Sequence, residues 1–174
     1  LWEALYDSYG GCSMAITAEN LAEKYQLSRD TVDEYAVQSH KKALTAMSNG
    51  NLAKEIVPIT MKTRKGEIIV NQDEHPRETS IDKLSKLPAR FKENGVVTAG
   101  NASGINDGAA MVVLASSDYA ERNNLKPIAR LVSYSVVGVD PTIMGIGPAP
   151  AIKDALNKAN LTIQDLDLIE INEA

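Results

Sequence analysis

Residues 145–159 read Gly-Ile-Gly-Pro-Ala-Pro-Ala-Ile-Lys-Asp-Ala-Leu-Asn-Lys-Ala. Pro150 suits the first position of a helix, and four later apolar residues recur at helical spacing: Ile152, Ala155, Leu156 and Ala159. The apolar runs on either side, at residues 128–139 and 166–171, predict strands. A strand, a helix and a strand in this order form a β-α-β unit, which predicts a layered α/β core.

The N-terminal part of the chain predicts a pair of helices. Thr17 is placed to cap a helix that reaches Tyr25, because small and apolar residues follow it at helical spacing. Ser28 is placed to cap a second helix, which Asn49-Gly50 would end.

Shorter elements follow these helices. Residues 55–61 and 67–71 predict two strands joined in a hairpin. Residues 71–94 predict a long surface loop with at most one short helix, because prolines interrupt the pattern. Further on, residues 111–115 predict a buried strand and residues 117–124 a short capped helix.

The composition bounds the class of protein. A chain of 174 residues with 44% hydrophobic residues can bury a core, and no run approaches the about 18 apolar residues of a membrane span. A net charge of -5 disfavours a nucleic-acid partner. The single cysteine, Cys12, excludes an internal disulfide, and His40 and His75 are the only histidines, so we expect no metal site.

The two ends of the sequence carry no readable signal. Residues 1–6 have no initiator methionine, no basic segment and no Arg/Ser-rich presequence. Residues 167–174 stop as a predicted strand finishes. We therefore expect both ends to be cuts within a longer protein.

Residues 97–110 form the first candidate for a functional segment, because they are almost all small. Ser103 is the one serine among them, so the segment suits a long ligand that lies against main chain and bonds a hydroxyl. The alternative is a tight turn that packs against helices. The glycines match neither the phosphate-loop pattern nor the dinucleotide spacing.

Other candidate residues are scattered. Asn172, at the end of a predicted strand, can hold a water or an oxyanion, or it can form an ordinary Asx turn. Cys12 has no neighbouring base in the sequence, so a small buried hydrophobe is favoured over a nucleophile. His40, beside two lysines on a helix, is expected to be solvated. Four cations suit either the phosphates of a nucleotide-like ligand or a solvated loop: Arg77, Lys83, Lys86 and Arg90.

Several segments, taken together and in order, resemble the thiolase family, and the resemblance covers almost the whole chain. The weaker stretches are residues 14–20, 28–30, 33–36, 55–58 and 73–77. The stronger ones are residues 98–110, residues 138–148 and the terminal Asn172-Glu173-Ala174.

The resemblance implies part of a thiolase-like five-layered αβαβα fold, an α/β class, with an α+β loop domain. Residues 1–93 would form most of the loop domain, residues 94–119 the end of the N-terminal core domain, and residues 120–174 the start of the C-terminal core domain.

The same resemblance implies roles for six residues. Ser103 and Ala99 would line the channel for the pantetheine of coenzyme A. Phe91 would contact the coenzyme, and Arg77 would lie by its adenine and phosphate end. Met14 would border the acyl pocket. Asn172 would hold the water that helps to form an oxyanion hole.

The implied activity is acyl transfer, namely the thiolytic cleavage of 3-ketoacyl-CoA to acetyl-CoA and a shortened acyl-CoA, with coenzyme A as a substrate and no cofactor. Ser13-Met14-Ala15 stands where thiolases acting on acetoacetyl-CoA typically have His-Met-Gly, which favours the degradative members of fatty acid β-oxidation. The family's nucleophilic cysteine would precede residue 1, and its histidine and second cysteine would follow residue 174. We therefore expect no turnover by this chain alone.

Two alternatives stay open. One is an acetoacetyl-CoA thiolase (acetyl-CoA C-acetyltransferase) that runs the condensation, and the other is a non-catalytic scaffold that binds coenzyme A. The resemblance further implies a homodimer or homotetramer for the full-length protein. It implies a location in the mitochondrial matrix, with cytosol and peroxisome as alternatives.

Overall fold

A computed structural model describes residues 2–173. The α-helices in this range are α1 (Met14–Lys24), α2 (Arg29–Ser48), α3 (Ile81–Leu84), α4 (Ser117–Arg122) and α5 (Pro148–Ala159). The strands in this range are β1 (Tyr6–Asp7), β2 (Cys12–Ser13), β3 (Ile59–Thr63) and β4 (Gly66–Val70). Short 3-10 helices occupy Trp2–Leu5, Leu52–Lys54, Pro141–Ile146 and Ile163–Asp165. None of the helices described is long and apolar enough to cross a membrane.

Helices α1 and α2 begin at serine caps. The Ser28 side chain accepts a hydrogen bond from a first-turn backbone N–H of α2, so the predicted cap is confirmed. The prediction that Thr17 caps α1 is wrong, because Ser13 caps it by accepting from the Ile16 N–H at 3.4 Å. Thr17 instead lies one turn inside the helix, where its buried hydroxyl donates to the Met14 carbonyl at 2.6 Å.

The strands of the described residues pair as two antiparallel hairpins. Strands β3 and β4 pair from Ile59 opposite Val70 to Thr63 opposite Gly66, which confirms the predicted hairpin, although its first strand begins four residues later than predicted. Strands β1 and β2 form a second, two-residue hairpin that the sequence patterns did not reveal. Its residues are too few to show an alternating pattern.

The core lies where α1, α2 and α3 meet residues 95–104, which we call the clamped loop. The apolar residues of this core are mostly small, and the centre of the core is polar. The buried apolar residues of the described chain are Ala22, Ala36, Leu84, Val97 and Ala120. Glu19 and Asp33 are 2% and 1% exposed, and Thr98 is fully buried. Since a buried charge needs hydrogen-bond partners, this core depends on polar pairing as well as on apolar contact.

Gly95 lets the clamped loop approach α1 closely. A Cβ atom added at Gly95 would lie 2.7 Å from Cδ of Glu19. The Glu19 carboxylate has little room to move, because it accepts hydrogen bonds from the N–H groups of Val96 and Val97. The small residues of this segment therefore pack backbone against side chain, as their composition predicts.

The C-terminal part of the structure contacts α1 through residues 141–146. Asn20 Nδ2 donates to the Thr142 carbonyl at 2.9 Å, and Leu21 packs against Gly145. Helix α5 then begins at Pro148, two residues before the predicted Pro150. The early start is compatible with both prolines, because the first turn of a helix has no use for their missing N–H groups.

The strand predictions for residues 111–115, 128–139 and 166–171 are wrong for the structure described. No inter-strand hydrogen bonds join these runs to another segment between residues 2 and 173, and a strand is defined by such a ladder. Residues 132–140 nevertheless alternate between exposed and half-buried positions, which is the period of two of an extended strand. Ser133 and Ser135 point to α5, where their hydroxyls donate to the Ala155 carbonyl and to Asp154 Oδ2.

The other side of this run is apolar and exposed. Val132, Tyr134 and Val136 alternate with the serines and are 59%, 72% and 89% exposed. The run therefore has one face on α5 and one face in solvent.

Replacing Gly95 by alanine should lower the free energy of unfolding by about 3 kcal/mol, because the new methyl group displaces a carboxylate that holds two backbone N–H groups. Gly138→Ala is the matched control, since no atom lies within 4 Å of its added Cβ and its φ is not positive. Urea unfolding of both variants measures the difference. Equal stability of the two variants would contradict the close contact at Gly95.

Candidate ligand-binding site

The first cavity, cavity 1, has a volume of about 640 Å³. Helix α2 forms one wall, residues 100–104 of the clamped loop form a second, and residues 171–173 form a third. Ser103 and Asn172 both line it. The structure thus brings together two candidate residues that are far apart in the sequence, although their roles stay predictions.

The second cavity, cavity 2, has a volume of about 660 Å³ and lies between α2 and residues 77–83. Three cations line it, Lys41, Arg77 and Lys83, against one carboxylate, that of Glu78. Cations gathered in this way make a local positive site on a chain whose net charge is -5. Cavity 2 is therefore suited to an anionic group.

His40 lines both cavities. Its ring stacks on that of His75 with the centroids 5.7 Å apart, and its Nδ1 accepts the Arg77 N–H at 3.3 Å. The prediction of a solvated His40 is wrong, because this ring is half-buried between two segments. Burial lowers the pKa of His40, and the charges of Arg77 and His75 lower it further, against a raising effect of Glu173.

Arg77 also reaches the clamped loop. Its Nη2 donates to the Ala99 carbonyl at 3.5 Å, so these two candidate residues are neighbours. Phe91 is 39% exposed and Met14 opens α1 half-buried, and neither lines cavity 1 or cavity 2. The structure therefore places Ser103 and Asn172 at cavity 1, Arg77 at cavity 2 and Ala99 in contact with Arg77.

Glu173 ties the last described residues to α2. Its carboxylate accepts from the Tyr35 hydroxyl at 2.9 Å and from the Ser39 hydroxyl. The hydrogen bond to Glu173 and then the charge of Glu173 raise the pKa of Tyr35, with a smaller contribution from burial. Asn172, the preceding residue, is held at the cavity 1 wall by this attachment.

Cys12 lies outside both cavities. It is half-buried in β2, paired opposite Asp7, and its thiol is free. The residues described contain no group of three or more histidine, cysteine or carboxylate side chains that could hold a metal ion.

Sequence reasoning missed two residues that hold the clamped loop. Glu19 bonds to its start and Asp33 to Asn101, and a signal for both exists, since each lies three residues before an apolar alanine of its helix, Ala22 or Ala36. A carboxylate on the apolar face of a helix indicates a buried partner. No comparable local signal marks His40, because its partners come from a distant loop.

His40 should titrate below the ordinary histidine pKa of about 6.5 in NMR spectra recorded against pH. Arg77→Gln should raise the pKa of His40, whereas Lys65→Gln on the β3–β4 turn should not change it. Because the neutral ring is favoured in the fold, the stability that it contributes is present above the ordinary pKa and is lost as pH falls through the folded value. A His40 that titrates at or above the ordinary value would contradict the burial described.

Tyr35 should lose its proton at a higher pH than a tyrosine without a carboxylate partner, because a phenolate beside Glu173 is disfavoured. Glu173→Gln should lower the pKa of Tyr35 towards the ordinary value, and Glu34→Gln, a control on the exposed face of α2, should leave it unchanged. Because the chain has six tyrosines, NMR signals of the Tyr35 ring against pH measure this pKa. If the pKa of Tyr35 were unchanged in Glu173→Gln, the side chains of Tyr35 and Glu173 would be apart in solution.

Comparison with known protein families matches nearly the whole chain to two domains of one family. The thiolase N-terminal domain matches residues 1–118, and the thiolase C-terminal domain matches residues 125–174. The mitochondrial 3-ketoacyl-CoA thiolase of Bos taurus is 52% identical over 100% of this chain, which spans 44% of that protein.

Two solved structures are similar to the fold. The acetyl-CoA acetyltransferase of Bacillus anthracis is 50% identical with a TM-score of 0.96, over 99% of this chain and 44% of its own. Human mitochondrial 3-ketoacyl-CoA thiolase in complex with CoA is 48% identical with a TM-score of 0.93, over 99% of this chain and 43% of its own. The thiolase-like fold expected from the sequence is confirmed, and the chain belongs to the thiolase family.

Proposed function

We propose that this chain supplies the coenzyme A channel of a thiolase that cleaves 3-ketoacyl-CoA to acetyl-CoA and a shortened acyl-CoA in fatty acid β-oxidation. The observation that carries the proposal is the pair of adjoining cavities that share His40. One is lined by cations and the other by small residues with a few polar groups. This pairing suits a ligand with an anionic head and a long, largely uncharged arm.

The candidate residues receive roles along this channel. Arg77, with the other cations of cavity 2, would pair the phosphates near the adenine. Ala99 and Ser103, on the clamped loop, would face the pantetheine arm. Phe91 would contact the coenzyme, and Met14 would border the acyl group. Arg77 and Ala99 are in contact, which supports a continuous path between the two ends.

Asn172 would act at the reacting end of the channel. Its amide can hold a water that donates to the thioester or enolate oxygen as negative charge develops there. The attachment of Glu173 to Tyr35 and Ser39 fixes the backbone beside it, and a donor fixed in advance is the more effective one. The chain's single cysteine, Cys12, lines neither cavity, so we propose that the nucleophile and its base come from outside residues 2–173.

The relatives support this proposal in part by their names. The bovine and human proteins are named mitochondrial 3-ketoacyl-CoA thiolase, and the human structure is described as a complex with CoA. We propose acyl-CoA and coenzyme A as substrates with no further cofactor, a homodimer or homotetramer as the full-length form, and the mitochondrial matrix as the location. Fractionation of the source cells tests the location, and recovery in cytosol or peroxisomes would contradict it.

An acetoacetyl-CoA thiolase running the condensation is the second candidate. The Bacillus anthracis relative, named an acetyl-CoA acetyltransferase, is as similar to this chain as the human thiolase is. Ser13-Met14-Ala15 at the start of α1 is the feature that favours the degradative reaction.

Calorimetry on this chain should detect binding of coenzyme A. Arg77→Gln should weaken binding about tenfold, because a phosphate loses a charged partner. Lys65→Gln, which removes a cation outside both cavities, should leave the affinity within about twofold. A folded chain that binds no coenzyme A would contradict the proposed channel.

A chimera tests the reaction itself. Residues 1–174 would replace the matching segment of the human thiolase, which is 48% identical. The chimera should cleave both long-chain and short-chain 3-ketoacyl-CoA, and its Asn172→Ala variant should lose about 100-fold in kcat. Activity confined to acetoacetyl-CoA would favour the second candidate instead.

The intact mass of the native protein separates an enzyme from a scaffold. A species much heavier than the 18.8 kDa of this chain, and containing its peptides, would support the thiolase proposal. A native species at this mass that binds coenzyme A without acyl transfer would favour the non-catalytic scaffold.

A further inference from the structure

The wall of cavity 1 that carries Ser103 is a loop, so something must hold it in place. Residues 100–104 belong to the clamped loop, which lacks helix and strand hydrogen bonding. A binding residue on an unsupported loop is free to move by more than the fraction of an ångström that good recognition tolerates. Two carboxylates, Glu19 on α1 and Asp33 on α2, hold this loop by hydrogen bonds.

Glu19 holds the start of the loop by its backbone. Its Oε2 accepts the Val96 N–H at 2.9 Å, and its Oε1 accepts the Val97 N–H at 2.8 Å. The side chain is 2% exposed, so water competes little for these bonds. Hydrogen bonds from backbone to a carboxylate are stronger than those between neutral groups. Two such bonds fix both the position and the direction of the loop where it lies against α1.

Asp33 holds the centre of the loop through Asn101. Its Oδ1 accepts from Asn101 Nδ2 at 2.8 Å, and its Oδ2 accepts from Arg29 Nε at 2.8 Å. Because an ionised carboxylate only accepts, the amide nitrogen of Asn101 must face it.

Asn101 passes this orientation on to the loop backbone. Its Nδ2 also donates to the Val96 carbonyl at 2.8 Å, and its Oδ1 accepts the Thr98 N–H at 2.7 Å. The Thr98 carbonyl in turn accepts the Ala102 N–H at 3.1 Å, one residue before Ser103. This series of hydrogen bonds connects Asp33 to the part of the loop that lines cavity 1.

We propose that Glu19 and Asp33 are positioning residues that set the wall of cavity 1 for the pantetheine arm of coenzyme A. The inference rests on the proposed function, since it assigns that arm to cavity 1. Neither carboxylate lines cavity 1 or cavity 2, so each acts through the loop and not by touching the ligand. The anionic head is bound by cavity 2, on residues that Glu19 does not contact.

Glu19→Gln tests whether Glu19 affects binding of the pantetheine arm in cavity 1 and not binding of the anionic head in cavity 2. A glutamine side chain has one acceptor oxygen, and its NH2 group would face a backbone N–H, so one loop bond is lost while size is kept. By calorimetry, the variant should bind coenzyme A about tenfold more weakly and adenosine 3′,5′-bisphosphate within about twofold of the parent chain. Asp33→Asn should weaken binding of coenzyme A similarly, and Glu34→Gln is the matched control on the exposed face of α2.

An equal loss of affinity for both ligands, or no loss for either, would overturn the proposal.

Amide hydrogen exchange gives a second test that needs no ligand. Exchange in residues 96–104 should rise in Glu19→Gln and Asp33→Asn, while α5 and the β3–β4 hairpin should keep the rates of the parent chain. A rise throughout the chain would show a merely structural role. A parent chain that binds no coenzyme A, with exchange rising only in the loop, would instead refute the proposed channel and leave the positioning of the loop supported.

Discussion

Two buried carboxylates hold this structure together at its centre. Glu19 on α1 and Asp33 on α2 draw a loop of small residues into the angle between the helices. A carboxylate that is removed from water loses hydration, and it stays buried only if other groups replace that hydration. Backbone N–H groups, Asn101 and Arg29 do so here, and among residues 2–173 no buried side-chain nitrogen or oxygen atom is left without a partner.

The site follows from that constraint. Since the loop is held on its inner side by polar bonds, its outer side is free to form a wall of cavity 1. Small residues are needed on both sides of the clamped loop. A larger side chain on the inner side would displace a carboxylate, and one on the outer side would fill cavity 1. His40 then joins this cavity to the cation-lined one, so that a single ligand can contact both.

Local patterns predicted the elements whose causes are local. The Ser28 cap, the β3–β4 hairpin and helix α5 all follow from residues close together in the chain. The bonds of Glu19 to the clamped loop span 77 and 78 residues of sequence, and no periodicity encodes such a distance. Residue types and position made Ser103 and Asn172 candidates and the family resemblance gave them roles, but only the fold placed them at one cavity. Residues 128–139 were predicted as a strand from an apolar run, and the ladder that would define a strand depends on a neighbour that their own sequence cannot specify.

The exposed face of residues 131–139 bears on what this chain can associate with. Val132, Tyr134 and Val136 stand in solvent, and no strand within residues 2–173 pairs with the backbone between them. Unpaired extended backbone flanked by apolar side chains is a template for pairing with another extended chain. A substitution that places a charge on this face would therefore change self-association without touching either cavity.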